Sequence, residues 1–342
     1  MAMDKSASDA FVYAKSSGML ASSFVGKRAR LLFSANSLKD LWSLLFKTER
    51  PSVPEVLLAK EIEKESLRLF LKNYDSLLKN YSSPHELLVA LIHFYEYENL
   101  KLVGSALARK EDKLPPVADV SPYTIINYNK WPSLRDMTKE TVFSWYDTVP
   151  DFSTQKDLDL RLDRQYVKYV WDSALKSDAS CRKELLSLIG EKFRMENVVW
   201  ALRLKLYYDM ERSEILSSLA YSSGEKNEHD VLVTEAQKIL DFAPDDYQTW
   251  SKWKYSFLIN PHTEGSVWRI DPRWVYNSYK REFVKKAYRM FHLHPFTDCP
   301  MVCWFFIKQN ELDNIRTACE SLRLGIPGEE ALKFSIGEGT EV

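Results

Sequence analysis

An acid–Asn–aliphatic triplet occurs three times along this chain, as Glu98-Asn99-Leu100, Glu196-Asn197-Val198 and Asp313-Asn314-Ile315. So short a pattern means little unless its surroundings repeat, and they do. Twelve residues before each Asn stand Leu87, Leu185 and Val302, and eight before it Leu91, Ile189 and Phe306. Four before it stand Tyr95, Phe193 and Asn310, and four after it Val103, Ala201 and Ala318. On a helix turning about 100° per residue these positions share one broad arc. The Asn falls inside that arc, the acid near its edge, and the aliphatic residue beyond it. A helix apolar over more than one side reads as a central helix. A mid-helix Asn is a poor helix former and, if buried, needs a hydrogen-bond partner. It reads as a structural fastener in preference to a ligand-binding group. The candidate repeat core is therefore Glu98, Asn99, Glu196, Asn197, Glu311, Asp313, Asn314 and Arg316.

Candidate N-caps precede the three helices at Ser83, Ser180 and Asp298. Ser83-Pro84-His85-Glu86 has the spacing of a capping box with Pro at the first helical position, and Pro300 falls in the first turn of the third helix. The middle copy diverges from the outer two. Three residues before the Asn stand Glu96, Arg194 and Glu311, and two after it Lys101, Val199 and Arg316.

The rest of the chain agrees with an all-α fold. Leu38, Leu41, Trp42 and Leu45 step with helical period, as do Leu158, Leu162, Tyr166 and Tyr169. Among 342 residues only 10 are Gly and 14 Pro, too few turn residues for a loop-rich β fold. Breaks at Pro115–Pro122 and Ser222–Asp230 divide the chain into three helical units, 1–118, 119–222 and 223–342, the third carrying inserted material. The repetition implies internal pseudo-symmetry. A net charge of −1 gives no general pull toward nucleic acid or an anionic membrane. Four cysteines make no disulfide framework and suit a reducing cytosolic setting. The first residues have no apolar signal core, and no stretch reaches the roughly 20 apolar residues of a membrane span. A soluble protein is expected.

Little in the chain points to chemistry. There is no phosphate-binding glycine loop, no GxSxG and no HExxH. His292-x-His294-x4-Cys299-x3-Cys303 contains zinc-friendly residue types, but its spacing fits no standard framework and Cys303 sits in the apolar run Met301–Ile307. The basic clusters Lys27-Arg28-Ala-Arg30 and Lys280 to Lys286, the latter amid Tyr276, Tyr279, Phe283 and Tyr288, read as charged outer faces rather than RNA-binding surfaces. Trp250, Trp253, Trp268 and Trp274 read mainly as core. No catalytic, cofactor-binding or metal residue is expected.

Lys308-x-x-Glu311-x-x-Asn314-Ile315-Arg316, followed by Gly325-Ile326-Pro327-x-Glu329, resembles the closing segment of the C subunit of V-type and A-type rotary ATPases, the counterpart of the eukaryotic d subunit. Tyr13-Ala14-x3-Gly18-Met19-Leu20 resembles the family's opening helix, and Glu96-x-x-Asn99-Leu100-Lys101 its first core helix. Leu162-Asp163-x-x-Tyr166 and Glu196-Asn197-Val198 match the middle unit. Three departures stand out: Ser16-Ser17 in place of an Arg-rich stretch, Arg194 in place of an acid, and a loosely matching segment from Phe242 to Pro295. The resemblance implies three helical units forming a funnel-shaped cup, without catalytic residues or cofactor. It implies a central-stalk socket that couples the rotor-ring proteolipid subunits to the central shaft, formed by the D and F subunits, in proton or sodium transport. It further implies a peripheral place on the cytoplasmic face of the membrane, held only through the complex, and no nucleic-acid partner. The rival readings are a helical-repeat interaction scaffold unrelated to ATPases and a metal-dependent enzyme using His292, His294 and Cys299.

Overall fold

The computed structural model describes residues 4–263 and 265–334; the outermost ends of the first and third sequence units, 1–3 and 335–342, lie outside this range. Among the described residues the fold is all-α, with no strand. In chain order the helices are α1 (Lys5–Ser22), α2 (Leu38–Leu45), α3 (Glu55–Leu78), α4 (Glu86–Ala108), α5 (Leu134–Thr138), α6 (Gln155–Leu175) and α7 (Arg182–Tyr207). There follow α8 (Arg212–Leu216), α9 (Thr234–Leu240), α10 (Tyr247–Ser251), α11 (Pro272–Leu293), α12 (Cys299–Leu324) and α13 (Gly328–Phe334).

Three long hairpins organise the molecule: α3–α4, α6–α7 and α11–α12. The second helix of each carries one Asn triplet. α4 packs on α6, α6 on α7, α7 on α11, α11 on α12, and α12 returns to α3. The Tyr74 hydroxyl donates to the carbonyl of Leu88 at 2.9 Å and Phe70 meets Tyr95 at a ring separation of 5.9 Å, which joins α3 to α4. The packing order of the six helices therefore closes on itself. α12 also touches α1, α2, α4, α7 and α13, so it has neighbours on most sides. That is why Cys299 through Ile307 can be buried without a gap, a pattern no surface helix could carry.

The apolar core falls into two clusters. The larger runs from Val12 to Ile307 through all three hairpins. The smaller joins Leu32–Ile62 to Ile315–Ala331, so the two ends of the described chain share one core. Gly325, at φ +67°, ends α12 in the left-handed conformation, and the Ile326 N–H returns to the Ser321 carbonyl at 2.9 Å. The chain then runs back over residues 26–34 so closely that any side chain at Gly328 would strike the Phe33 carbonyl.

Two expected caps are corrected. α4 starts at Glu86 with His85 as its N-cap, the imidazole Nδ1 accepting from the Leu87 N–H at 3.2 Å; Ser83 and Pro84 lie outside. α7 is preceded by Cys181, not Ser180. Asp298 does stand at the cap position of α12, although its side chain makes no capping bond. In the long connection between α7 and α11, Trp250, Trp253 and Trp268 are buried, and each indole N–H finds an acceptor: the Ala243 carbonyl, Glu235 and the Asn260 carbonyl. Such rings pin an irregular segment by burying area while keeping their one donor satisfied. Trp274 is exposed.

Candidate functional site

Asn99 is nearly fully buried, and its amide grips a single residue of the following loop. Nδ2 donates to the Ala118 carbonyl at 2.8 Å and Oδ1 accepts from the Ala118 N–H at 2.8 Å. Asn197 treats Ala220 in the same way, at 2.7 and 2.9 Å. The remaining amide hydrogen goes to the Tyr128 hydroxyl at 2.9 Å in the first case and to the Leu232 carbonyl at 2.9 Å in the second. An amide is required for this: a carboxylate has no donor for the carbonyl, and a hydroxyl cannot span both backbone groups. Asn314 is equally buried on α12.

The residue three positions earlier also holds a loop. Glu96, fully buried, accepts at Oε2 from the N–H groups of Ile125 (2.8 Å) and Ile126 (3.0 Å), and at Oε1 from the Tyr128 hydroxyl (2.9 Å). Burial, reinforced by this carboxylate, pushes the Tyr128 phenol far above its ordinary value, so it remains a donor. Arg194 instead donates from Nε to the Val231 carbonyl at 3.1 Å. The acid missing there is supplied by Asp230 of the loop itself, which accepts from the N–H groups of Leu232 and Ser222 and from the Ser222 hydroxyl. Glu311 reaches across the chain ends, accepting from the Phe24 N–H at 2.5 Å and pairing with Lys308, which also donates to the Ser23 hydroxyl.

The hairpins are tied to one another by charge. Lys101 bridges Glu98 (2.8 Å) and Asp163 of α6 (2.5 Å), and Arg316 reaches Glu63 of α3 (3.2 Å). Between α7 and α11 the corresponding residues are Val199 and Lys280, and Lys280 turns to Asp313 instead. Glu196 pairs with Lys192.

These helices enclose a cavity of about 1670 Å³. Positions five, four and one before the Asn line it in every hairpin: Phe94, Tyr95 and Glu98; Lys192, Phe193 and Glu196; Gln309, Asn310 and Asp313. The preceding helices contribute Glu63, Ser66 and Leu67; Asp163, Tyr166 and Val167; Lys280, Phe283 and Val284. Exposed Phe152 and Trp200 also border it. The lining begins at Phe94 on α4, Lys192 on α7 and Phe306 on α12. Before those points Leu87, Leu91, Leu185, Ile189 and Val302 are fully buried and form a closed floor. Beyond the floor the tips of the first two hairpins are joined by Lys176–Glu86 (2.9 Å), and Lys5 of α1 reaches Asp298 at the tip of the third (3.5 Å).

Thus Glu98, Asn99, Glu196, Asn197, Asp313 and Arg316 all border one cavity, while Glu311 and Asn314 face the packed side. Among the described residues no group of three or more His, Cys, Asp or Glu could hold a metal ion. His292 meets the Tyr13 hydroxyl at 2.9 Å, and Cys299 and Cys303 are buried in α12.

The family model described as the ATP synthase (C/AC39) subunit matches residues 10–334. The chain belongs to this family. It is thereby a member of the C/d group of V-type and A-type ATPase subunits, a structural and non-catalytic component of the ATPase complex. It is also similar to an uncharacterized protein of Treponema pallidum (strain Nichols), 27% identical over 328 residues that cover 95% of each chain. No described helix of this C/AC39 family member is long and apolar enough to cross a membrane.

Sequence reasoning overlooked Asp230 and the cavity-facing triplets of the preceding helices. The triplets share one spacing: Glu63-x-x-Ser66-Leu67, Asp163-x-x-Tyr166-Val167 and Lys280-x-x-Phe283-Val284. The charged position changes sign, and that hid the pattern.

Proposed function

We propose that the chain is the central-stalk socket of a rotary V/A-type ATPase. In this reading its three units, 1–118, 119–222 and 223–342, form a pseudo-symmetric, funnel-shaped cup. The floor side rests on the rotor-ring proteolipid subunits at the cytoplasmic face of the membrane, and the cavity receives the foot of the shaft made by the D and F subunits. Torque would pass from ATP hydrolysis to proton or sodium movement with no bond made or broken in this chain.

The cavity walled by all three Asn helices carries this reading. A helix about 10–11 Å across that rises 1.5 Å per residue fills roughly 130 Å³ per residue, so the cavity holds roughly 12 residues, about three turns. That suits the end of a protein shaft better than a small metabolite. Resistance to shear fits as well, because the loops that complete the cavity wall at Ala118 and Ala220 are held by Asn99, Glu96, Asn197, Arg194 and Asp230 rather than by chain connectivity alone. Affinity purification of the tagged chain from native membranes tests the assignment. Ring and shaft subunits are expected together, and recovery of neither would overturn it.

A further inference from the structure

At the position two residues after the anchoring Asn, two of the three joints between neighbouring hairpins are closed by an ion pair. Lys101 of α4 reaches Asp163 of α6, and Arg316 of α12 reaches Glu63 of α3. On α7 that position is Val199, and the α11 residue in the place of the acid is Lys280, which turns to Asp313. Lys286 and Glu191 do pair across this joint, but nearer the floor. A cation appears one turn nearer the mouth of the cavity, as Arg203. Facing it on α11, one turn before Lys280, stands Tyr276 in place of an acid. The Arg203 guanidinium lies over that ring, 5.6 Å from its centroid.

Arg203 is half-buried, yet among the described residues it makes neither a hydrogen bond nor an ion pair. Contact with a ring holds the cation in place and leaves its planar fork of N–H groups free. Such a fork takes a carboxylate by two parallel hydrogen bonds, each about twice as strong as one between neutral groups. Lys156, another cation at the cavity without an ion pair among the described residues, is exposed and has no ring beneath it. Trp200 borders the cavity three residues before Arg203, and Tyr207 follows four residues after it on the same face of α7; both are exposed. Trp, Arg and Tyr are the residue types that dominate binding energy where proteins meet. At the places of Trp200 and Arg203 the other hairpins have Leu102 and Ser105, and Thr317 and Glu320.

We infer that Arg203 anchors the shaft foot by gripping a carboxylate that the inserted segment supplies. In the two outer joints the acid belongs to this chain; in the middle one the partner contributes it, flanked by the rings of Trp200 and Tyr207. A contact on one wall, away from the middle of the cavity, resists turning of the shaft within the cup. This rests on the socket reading above and names the chemistry of the partner's contacting group.

The test is calorimetric titration of the full-length protein with its purified D–F shaft subcomplex, with thermal unfolding of each free variant alongside. Arg203→Gln, which removes the charge, is expected to weaken binding about tenfold, between the effects of exposed and fully buried ion pairs. Arg203→Lys keeps a point charge without the fork and should bind about threefold more weakly than wild type. Raising salt from about 50 to about 300 mM should weaken wild-type binding more than that of Arg203→Gln, because screening acts on the pair the variant lacks. Thermal unfolding should move little in either variant, since Arg203 makes no hydrogen bond or ion pair among the described residues. Wild-type affinity and salt dependence in Arg203→Gln overturn the inference and leave the socket reading intact. So does a loss of binding matched by a clear loss of thermal stability in both variants, the signature of a residue that merely supports the fold. Wild-type protein that fails to bind the shaft overturns the socket reading itself, and this inference with it.

Discussion

Glu96 and Arg194 occupy the same place on α4 and α7, three residues before the anchoring Asn, and carry opposite charges. Each nevertheless fastens the loop that follows its helix. Glu96 faces two backbone N–H groups and accepts from them; Arg194 faces a carbonyl and donates to it. The loop of the middle hairpin presents the other end of its peptide, and its acid has moved into the loop as Asp230. What the two hairpins share is a fastened loop, reached by opposite chemistry.

The comparison can be broken most sharply by reversing the charges. Glu96→Arg places a cation in a fully buried site facing N–H donors and orphans three hydrogen bonds. It should cost about 4 kcal/mol or more, enough to prevent folding in a marginally stable chain. Arg194→Glu, at a site open to solvent, should cost only about 1 kcal/mol by urea denaturation. Equal costs would mean that the two positions are not used as described.

Asn99→Ala and Asn197→Ala come next. Each leaves the N–H and carbonyl of one loop alanine unpaired, for about 3 kcal/mol in either case. A large difference between them would remove the equivalence of the two anchors. Asp230→Ala should cost about 2 kcal/mol, showing that the acid's work in the middle hairpin has moved to the loop.

How much of this was legible beforehand depended on the kind of interaction. The long helices and the central character of the Asn helices follow from local period, and the α12 run Met301–Ile307 was readable as core for the same reason. The role of Asn as a fastener followed from its poor fit inside a helix, though Ala118 and Ala220 as partners could not be named, because a backbone group leaves no mark on residue type. Arg194 looked like a departure from the pattern, since charge sign reads clearly in sequence while peptide orientation does not. Residue preference favours Ser83 and Ser180 as caps, whereas His85 and Cys181 take those places. The family resemblance implied a cup, but the residues that line the cavity were not legible. The cavity forms where six helices from distant stretches of chain turn particular faces together.

The smallest effect concerns the turn that carries Phe152 to the cavity. Hydrogen bonds from Ser153 and Thr154 hold the exposed Asp151 carboxyl down at about 2, below the usual 3.8. Because the folded value is the lower one, the turn is supported at neutral pH, and that support is lost as pH falls from about 4 through 2. Carboxyl NMR should place the Asp151 titration near 2, and Asp151→Asn should remove the local change.

Cross-linking from the cavity wall tests the central claim most directly. All four native cysteines are buried, so a benzophenone placed on Trp200→Cys would be the main accessible label. In the assembled ATPase the label should join this chain to a shaft subunit. Cross-links to rotor-ring subunits alone, or none in a complex shown to be intact, would contradict a cavity that receives the shaft.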